Sequence, residues 1–495
     1  MREGDRPDSF GSERMRIGRN QYLIASCGIE NKFEYDQMLE LGLYHVLLGE
    51  RTQYQCLRSI EVEWLLIGYA IDVQHPQDNE EKMLIRLDES CDKDLTNLAD
   101  MTFYWGGRWV LFSLRGNSLS AITDSCGLKQ LFHGYNVFGS QSRYVAKVVN
   151  AEVDAKAEGY IKQAMAVDKE YAWPLDVTPY NGIKRLLPNH IYNKGQIYRI
   201  HPHEFFSGKS QEERVIAVAD LLKTMMQAAA TRTNLAVTLT AGWDSRLVLA
   251  ACDKVKEKID VVTLKYQHIA DSHMDIQIPK QLCEKYGFVH KVLSCRHLAP
   301  GFVAAYKAHA ENAHDYWIQM IQSVRDYGYE DWLWTKGSCN EVCRNSSGIL
   351  YDWQVNTRVL SKLYGVMPCD YSKTIISRWL KSAKAYAAET GYSVLDLFYW
   401  EHRLGSWLAE CLNEADVVGE TFTPFSVRAY FELIKGVSIS ERISPDYRFF
   451  EEVLRASAMS LDIPVNPHRY DSFSAKVKCL LKNKLHLIYG MILSR

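Results

Sequence analysis

Residues 235–253 read LAVTLTAGWDSRLVLAACD, and this stretch decides the fold of the chain. The apolar run over residues 235–240 predicts a short strand, residues 241–245 predict a tight loop, and the next apolar run predicts a helix that opens at Arg246. A junction of this kind directs successive backbone N–H groups at one point. The sequence therefore predicts an anion site in the loop.

The loop residues suit a phosphate with its metal ion. Gly242 lets the backbone approach a phosphate, Ser245 offers a hydroxyl, and Asp244 offers a carboxylate for magnesium. From Thr240 onward the loop reads T-A-G-W-D-S, which resembles the S-G-G-x-D-S pyrophosphate loop of the asparagine synthetase superfamily of N-type ATP pyrophosphatases. An ordinary strand–turn–helix unit is the alternative interpretation. The resemblance implies that ATP is bound by Thr240, Ala241, Gly242, Asp244, Ser245 and Arg246.

Composition limits the kind of protein. The chain has 495 residues, enough for two or three domains, and its 58 basic and 60 acidic residues give a formal charge of −2. This balance argues against nucleic-acid binding. The apolar runs, such as residues 64–70, are too short to cross a bilayer, and the 12 cysteines form no C-x-x-C pair. We therefore expect a cytoplasmic α/β protein with reduced thiols, no transmembrane segment and a disordered leader over residues 1–15.

Residues 16–205 predict a β-rich first domain, because short apolar runs such as YLIAS and YHVLLG are separated by turns. Within it, residues 105–111 (WGGRWVL) and 121–128 (AITDSCGL) are similar to the amino-terminal domain of asparagine synthetase. That domain has G-x-[FW]-x-[FVL] and then a strand ending in D-x-x-G. The resemblance implies the α/β/β/α sandwich of class II glutamine amidotransferases.

Such a domain normally carries a glutaminase whose nucleophile is a cysteine directly after the initiator methionine, but this chain begins M-R-E. Cys27 opens a C-G-I triplet like that of the family. An N-terminal thiol works because its own α-amine can act as base, so Cys27 would need cleavage after Ser26, inside a predicted strand. The glutamine-holding motifs are also missing. We therefore predict an amidotransferase-like fold without glutaminase activity, which calls for a separate donor of ammonia or another amine.

Residues 206–495 predict a doubly wound parallel-sheet ATP pyrophosphatase domain with a helical C-terminal part. The preceding residues 182–190 (GIKRLLPNH) resemble the segment at which the family's first domain leads into its second. Ser210 and Glu213 form a capping box that opens an amphipathic helix. Residues 259–266 (IDVVTLKY) are suited to the middle of a parallel sheet. Ligands of such sheets bind at the carboxyl ends of the strands.

The strand over residues 259–266 has a further implication by resemblance. In the family it offers backbone groups to adenine, which assigns Thr263 and Leu264 to the cofactor site. Asp271 and Asp275 resemble the acidic pair that follows that strand. They are equally explained as carboxylates in a turn and at a helix N-terminus.

A second loop, GSCNE, begins at Gly337 after a predicted strand over residues 331–335. It resembles the G-x-G-G-D-E-L signature of the superfamily. If Gly337 takes the place of the leading glycine, Glu341 stands for the metal-binding aspartate. If Glu341 instead takes the place of the family glutamate, Asn340 replaces that aspartate. We favour the first alignment because it keeps a carboxylate for magnesium, although a glutamate at a helix start would look the same. The resemblance thus makes Asp244 and Glu341 catalytic metal ligands and Gly337 a nucleotide contact.

The remainder predicts helices. Residues 399–410 and 421–425 resemble the region that walls the family's acceptor site. An aspartate usual there is missing, and Glu414 or Glu420 could replace it. The residues that match the family are Arg403, Glu410 and Pro424.

The family also places a lysine late in the chain, over the developing charge of the adenylated substrate. Lys476 is the residue assigned to this catalytic role, with Lys478 as the alternative. Both open a basic, amphipathic tail over residues 476–495, a pattern more typical of a packed terminal helix than of a membrane contact.

The resemblance implies an ATP- and Mg²⁺-dependent ligase. Its substrate carboxylate, on a small molecule or a peptide, becomes an acyl-adenylate with release of pyrophosphate, and an amine then forms an amide and releases AMP. Both an acidic sugar of a surface polysaccharide and a peptide to be cyclised or ligated fit this reaction. A homodimer is compatible with it. The alternatives are a catalytically inactive binding or scaffold protein and a sulfur-transferring, tRNA-modifying relative, which would need a basic face and a catalytic cysteine pair that the sequence lacks.

Overall fold

A computed structural model describes residues 14–26, 28–92, 97–266, 268–344, 352–443 and 447–466. Cys27, Lys476 and Lys478 lie outside these residues, as does the basic tail. Met15, which was predicted to belong to a disordered leader, instead pairs with Phe33 in a short parallel ladder.

The amino-terminal part consists mainly of two six-stranded antiparallel sheets. In chain order its strands are β1 (Met15–Arg16), β2 (Tyr22–Ser26), β3 (Phe33–Glu34), β4 (Gln37–Leu41), β5 (Tyr44–Leu48), β6 (Tyr54–Arg58), β7 (Glu63–Asp72), β8 (Trp105–Arg115), β9 (Ser118–Thr123), β10 (Phe132–Gly134), β11 (Val137–Gly139), β12 (Lys184–Arg185), β13 (His190–Asn193) and β14 (Gln196–Arg199). The sheet orders are β12-β10-β11-β2-β5-β4 and β14-β13-β9-β8-β7-β6. Four helices accompany them: α1 (Glu80–Ser90), α2 (Leu98–Met101), α3 (Ser142–Val149) and α4 (Ala155–Val167).

Alternation of side chains along the strands builds four layers from these elements. Tyr22 and Ile24 of β2 face inward and pack against the other sheet, whereas Leu23 and Ala25 face outward and pack against α3. On the second sheet, the outward residues of β7 pack against α1. The layers are therefore helix, sheet, sheet and helix, which confirms the α/β/β/α sandwich that the sequence predicts.

The second part is built on a five-stranded parallel sheet in the order β17-β16-β15-β18-β19. Its strands are β15 (Leu235–Thr238), β16 (Ile259–Lys265), β17 (His290–Ser294), β18 (Leu333–Thr335) and β19 (Thr421–Phe422). Val237 of β15 belongs to a core shared with helices α5 (Gln211–Arg232) and α6 (Trp243–Ala251), and Ala236 points to the opposite core. Helices therefore cover both faces, as predicted for a doubly wound sheet.

Ten further helices complete this part within the described residues. They are α7 (Met274–Tyr286), α8 (Pro300–His309), α9 (Ile318–Asp326), α10 (Thr357–Leu363), α11 (Asp370–Thr390), α12 (Val394–Phe398), α13 (Ala409–Ala415), α14 (Arg428–Lys435), α15 (Ile439–Arg442) and α16 (Arg448–Ala456). Helix α7 packs on the same face of the parallel sheet as α5, and α8 and α9 pack on the opposite face. Short 3₁₀ turns occur at Glu30–Lys32, Asp253–Lys258, Asn340–Arg344 and Asp352–Gln354. In the described part of the chain, no helix combines the length and apolar character that a membrane crossing requires.

The second part contains a capping box that the sequence predicted and a π-helix that it did not. The predicted capping box at the start of α5 is present, with Ser210 and Glu213 each bonding the other's backbone N–H. Between α12 and α13, Tyr399–Leu408 form a π-helix, which the sequence pattern did not distinguish from an α-helix. Wide turns of this type are frequently found at functional sites.

Candidate functional site

A cavity of about 420 Å³ opens where the parallel sheet changes direction. Strands β16 and β17 follow β15 to one side, and β18 and β19 lie on the other, so the switch point falls between β15 and β18. The loops after these two central strands both line the cavity. This is the place at which doubly wound sheets bind their ligands.

The predicted anion loop ends earlier than its sequence suggests. Strand β15 ends at Thr238, and helix α6 begins at Trp243 with Gly242 as its N-cap. The helix therefore begins before Arg246, the predicted first residue. Asp244 and Ser245 therefore lie in the first helical turn, where unpaired N–H groups and the helix dipole favour an anion. Gly242 has φ −80° and ψ 170°, a backbone conformation that does not itself require glycine.

Side chains within the loop hold its backbone in place. The Ser245 hydroxyl lies 3.2 Å from the backbone nitrogen of Thr240 and 3.1 Å from the Thr240 hydroxyl oxygen. The backbone N–H of Ala241 donates to the Asp275 carboxylate at 2.9 Å. Asp275 thus fixes the loop from α7, and Ala241 has no free N–H to offer a phosphate.

Asp244 is the central acid of the site. Its two carboxylate oxygens accept hydrogen bonds from the Asn340 amide at 2.7 Å and from the Arg344 guanidinium at 2.6 Å. Burial raises the pKa of Asp244, and the positive charge of Arg344 opposes that shift. The second loop therefore orients the carboxylate of the first.

Glu341 is the second acid of the cavity. Burial, and after it the negative charge of Asp244, raises the pKa of Glu341 to about 7. Its Oε2 atom is buried and has no hydrogen-bond partner among the described residues. Asn340, by contrast, is fully buried and bonds Asp244 and the Tyr430 hydroxyl. Within the described residues, Glu341 therefore has an uncommitted carboxylate oxygen, whereas the side chain of Asn340 is committed to Asp244 and Tyr430.

Gly337 allows the two loops to touch. A Cβ atom at Gly337 would lie 2.7 Å from the backbone nitrogen of Ser245 and 2.8 Å from the carbonyl carbon of Asp244. Real Cβ contacts are not this short, so only glycine permits this approach. Its conformation is ordinary, and the requirement is steric.

The donor set suits magnesium. Among the described residues no cluster of three or more His, Cys, Asp or Glu side chains could hold a metal alone. Magnesium, however, is usually bound by one or two carboxylates together with substrate phosphates. Asp244 and Glu341 place two carboxylates in one cavity. The Oε2 atom of Glu341 has no hydrogen-bond partner among the described residues and is therefore available as a metal ligand.

The predicted adenine side of the cavity lies along β16. Thr263 and Leu264 both line the cavity, and the Thr263 hydroxyl donates to the Leu239 carbonyl at 2.9 Å. Asp271 instead forms an ion pair with Lys265 at the surface and is not a lining residue. The two acids therefore differ, because Asp275 reaches the site and Asp271 does not.

Arg246 does not reach the cavity. Its side chain is fully buried, and its guanidinium donates to the carbonyls of Ile463 and Pro464 at 2.5 and 2.9 Å. The predicted contact between Arg246 and the cofactor is therefore wrong for the side chain, which instead anchors the last described segment of the chain. The sequence pattern did not indicate that the Arg246 side chain would be fully buried.

The acids expected around the acceptor site also lie elsewhere. Glu410 bonds Gln130 and Arg185 of the sandwich, and Glu420 bonds Arg108. Glu414 bonds His314 at 2.6 Å. None of these three acids lines the cavity, nor do Arg403 and Pro424. Each of these three acids instead bonds a side chain of another packed segment, because a buried carboxylate without a partner is costly.

One side of the cavity is aromatic. Trp317 and Trp334 meet Tyr399 and Trp407 there, and we call these four residues the aromatic wall. The rings of Trp317 and Trp407 have centroids 6.1 Å apart, and the Arg403 guanidinium stacks 3.6 Å from the centroid of Trp407.

Lys336, directly before Gly337, also lines the cavity, and sequence reasoning missed it because the family pattern directed attention to the late lysines. It is the only Lys, Arg or His among the lining residues that the structure describes. A lysine in the loop after a central strand is a signal that could have been used.

No protein-family model matches the chain, and no curated protein sequence matches it. Solved structures that resemble it include the NH₃-dependent NAD synthetase from Campylobacter jejuni subsp. jejuni NCTC 11168, with 14% identity, 40% of this chain and 94% of that chain covered, and a TM-score of 0.22. The U34-tRNA thiolase NcsA from Methanococcus maripaludis has 12% identity, 59% and 84% coverage, and a TM-score of 0.22. The glutamine phosphoribosylpyrophosphate amidotransferase from B. subtilis has 11% identity, 78% and 88% coverage, and a TM-score of 0.22. Likenesses this low do not assign a function.

Proposed function

We propose that the chain is an ATP-dependent carbon–nitrogen ligase of the asparagine synthetase type. The observation that carries this proposal is the pairing of Asp244 with Glu341 in one cavity, next to the N-terminus of α6 and at the switch point of the sheet. A helix N-terminus attracts the phosphates, and the two acids suit the accompanying cation. Magnesium bound there would neutralise charge on the departing pyrophosphate.

In the proposed reaction, an oxygen of the substrate carboxylate attacks the α-phosphorus of ATP, and the bond to the β-phosphate breaks with release of pyrophosphate. An amine then attacks the acyl carbon of the adenylate, forms the amide bond, releases AMP and loses a proton. The chain's own part is binding and orientation. The first turn of α6 holds the phosphates, Thr263 and Leu264 lie along the adenine, and the contact at Gly337 keeps the two loops in register.

The experiment is a calorimetric titration of ATP–Mg²⁺ into wild type, Gly242→Val and Ser245→Ala. A Cβ at Gly242 would meet only the Thr240 hydroxyl oxygen at 3.4 Å and the Asn466 carboxamide oxygen at 4.0 Å, so the fold tolerates a side chain that a phosphate would not. We expect Gly242→Val to abolish binding. Ser245→Ala should weaken it about tenfold or more, since a hydrogen bond to a charged group contributes on the order of 1–3 kcal/mol.

Gly301→Ala serves as the matched control, because nothing lies within 4 Å of a Cβ built there. Circular dichroism of each variant checks that the fold survives. Equal ATP affinity in all proteins would mean that the loop is only a turn. Turnover is tested separately by pyrophosphate release with ATP, ammonia and a panel of carboxylates.

In this proposal the amine comes from a separate donor, since the glutamine-holding motifs of the family are missing from the sequence. We expect the purified protein to release no glutamate from glutamine. Glutamate release that disappears in Cys27→Ala, together with mass-spectrometric evidence of cleavage after Ser26, would contradict this expectation and identify a propeptide.

A second candidate function is nucleotide binding without turnover, and the Arg344 guanidinium favours it. Burial acts to lower the pKa of Arg344, but the charges of Asp244 and Glu341 outweigh it and raise that pKa. A fixed cation thus already neutralises the acid that should bind magnesium. ATP affinity that is the same with Mg²⁺ and with EDTA would support this candidate over the ligase.

A further inference from the structure

The acceptor side of the cavity carries one positive charge. The backbone N–H of Lys336 donates to the Phe422 carbonyl at 2.8 Å, which places the residue where β18 leaves the sheet. Its ammonium makes no hydrogen bond or ion pair with any residue that the structure describes. Burial lowers the pKa of Lys336 to about 8, and Cys411 and Glu414 of α13 are the groups that act to raise it. Cys411 lines the cavity together with Lys336.

Around this charge the cavity is apolar. Trp334 of β18, two residues before Lys336, also lines the cavity. The π-helix contributes Leu404, Trp407 and Leu408 to the lining, and Cys411 follows one turn later.

The tryptophans of the aromatic wall offer carbon to a ligand rather than hydrogen bonds. The indole nitrogens of Trp317, Trp334 and Trp407 are all buried. Arg403 stacks on Trp407, and Trp317 packs beside it, so the rings are held in place before a ligand arrives. A preformed apolar surface binds an apolar ligand with little loss of side-chain entropy.

The geometry points to an acceptor subsite for an aromatic or long aliphatic carboxylate, whose carboxylate is bound by Lys336 and whose body lies against the aromatic wall. This inference rests on the proposed function, for which it names the substrate class. An unpaired ammonium at the edge of an apolar surface selects an acid, because no other lining residue of the described chain carries positive charge. A sugar acid fits poorly, since each hydroxyl buried against aromatic carbon loses its hydrogen bonds to water.

The test is a calorimetric titration of the full chain with four compounds: 3-phenylpropanoate, its uncharged analogue 3-phenylpropanamide, octanoate and glucuronate. Wild type should bind both apolar acids at least tenfold more tightly than glucuronate, and 3-phenylpropanoate at least tenfold more tightly than the amide. Lys336→Met should bind acid and amide equally. Lys336→Arg should keep the preference for the acid, because the charge remains.

Two further variants separate charge from shape. Lys291→Met is the matched control. Lys291 lies on β17, forms an ion pair with Asp260 of β16 and does not line the cavity. It should behave as wild type. Trp407→Ala should weaken the acid and the amide alike and leave their ratio unchanged.

The failure of this inference can be told from failure of the ligase proposal. Each protein is also titrated with ATP–Mg²⁺, and all of them should still bind it. Tighter binding of glucuronate, no binding of either apolar acid at millimolar concentration, or an acid preference that survives in Lys336→Met would overturn the inference while ATP binding persists. Absence of ATP binding by wild type would overturn the proposed function instead.

Discussion

Replacing Arg108 by methionine should destabilise the protein by about 3–5 kcal/mol, the cost of leaving a buried carboxylate without its partner. Arg108 lies on β8 in the WGGRWVL motif, and its guanidinium bonds Asp416 at 2.8 Å and Glu420 at 2.7 Å. A second bond to Asp416 and a bond to the Leu128 carbonyl, at 3.0 Å, bring the total to four among the described residues. The ion pair thus joins the sandwich to the segment that leads into β19 at the edge of the parallel sheet.

The magnitude follows from how completely the pair is buried. The side chains of Arg108 and Asp416 are each 1% exposed. Burial raises the pKa of Asp416 to about 6 even with the guanidinium in contact, so the ionised form is already costly in the folded state. Methionine fills most of the space of arginine but removes the charge and its four hydrogen bonds. The Arg108→Met/Asp416→Asn double variant should recover part of the loss, with a coupling energy of roughly 2 kcal/mol.

The assay is urea unfolding at pH 8, followed by tryptophan fluorescence and by far-ultraviolet circular dichroism, with free energies taken only from coincident transitions. Arg58→Met is the control, because Arg58 lies on β6 of the same sheet and its ion pair with Glu63 is 64% exposed on the arginine side. An exposed pair contributes about 0–1 kcal/mol. If Arg108→Met costs no more than the control, the buried ion pair does not stabilise this junction.

Three further outcomes are expected. Gly337→Ala should lower the free energy of unfolding in urea by about 1–3 kcal/mol and weaken ATP–Mg²⁺ binding at least tenfold. The reason is that its Cβ would lie only 2.7 Å from the Ser245 backbone nitrogen. Unchanged affinity would show that the two loops can separate freely. Glu341→Gln should raise the melting temperature without Mg²⁺, since it removes a buried charge that repels Asp244, yet weaken ATP binding with Mg²⁺; a lower melting temperature would contradict the repulsion. Burial raises the pKa of Glu410 from 4.5 to about 7, so the stability given by its protonated form is lost as the pH rises through 7. Glu410→Gln, which stays neutral, should therefore gain up to about 3 kcal/mol relative to wild type between pH 5 and 8, and a pH-independent difference would refute the shift.

Much of the fold could be predicted because each element has its own local signal. The apolar runs of β2 and β16 predict strands covered on both faces, and four of the five residues of β2 and the first five of β16 are buried. The capping box at Ser210 marks the start of α5. Helix α6 begins three residues earlier than predicted, because the first turn carries Asp244 and Ser245, polar residues that an apolar pattern does not count as helix.

The sequence by itself determined a β-rich first part, the parallel sheet and the two loops, because apolar runs, helix caps and glycine-containing turns depend on near neighbours in the chain. The α/β/β/α order of the layers was implied by the family resemblance. It could also place Asp244 and Glu341 in separate loops that follow strands. Only the tertiary structure decided that these acids share a cavity, that Arg246 and Glu410 serve packing, and that Lys336 stands alone among aromatic side chains. Those facts depend on which side chains meet across the fold, and contacts between residues a hundred or more positions apart leave no periodic trace in the sequence.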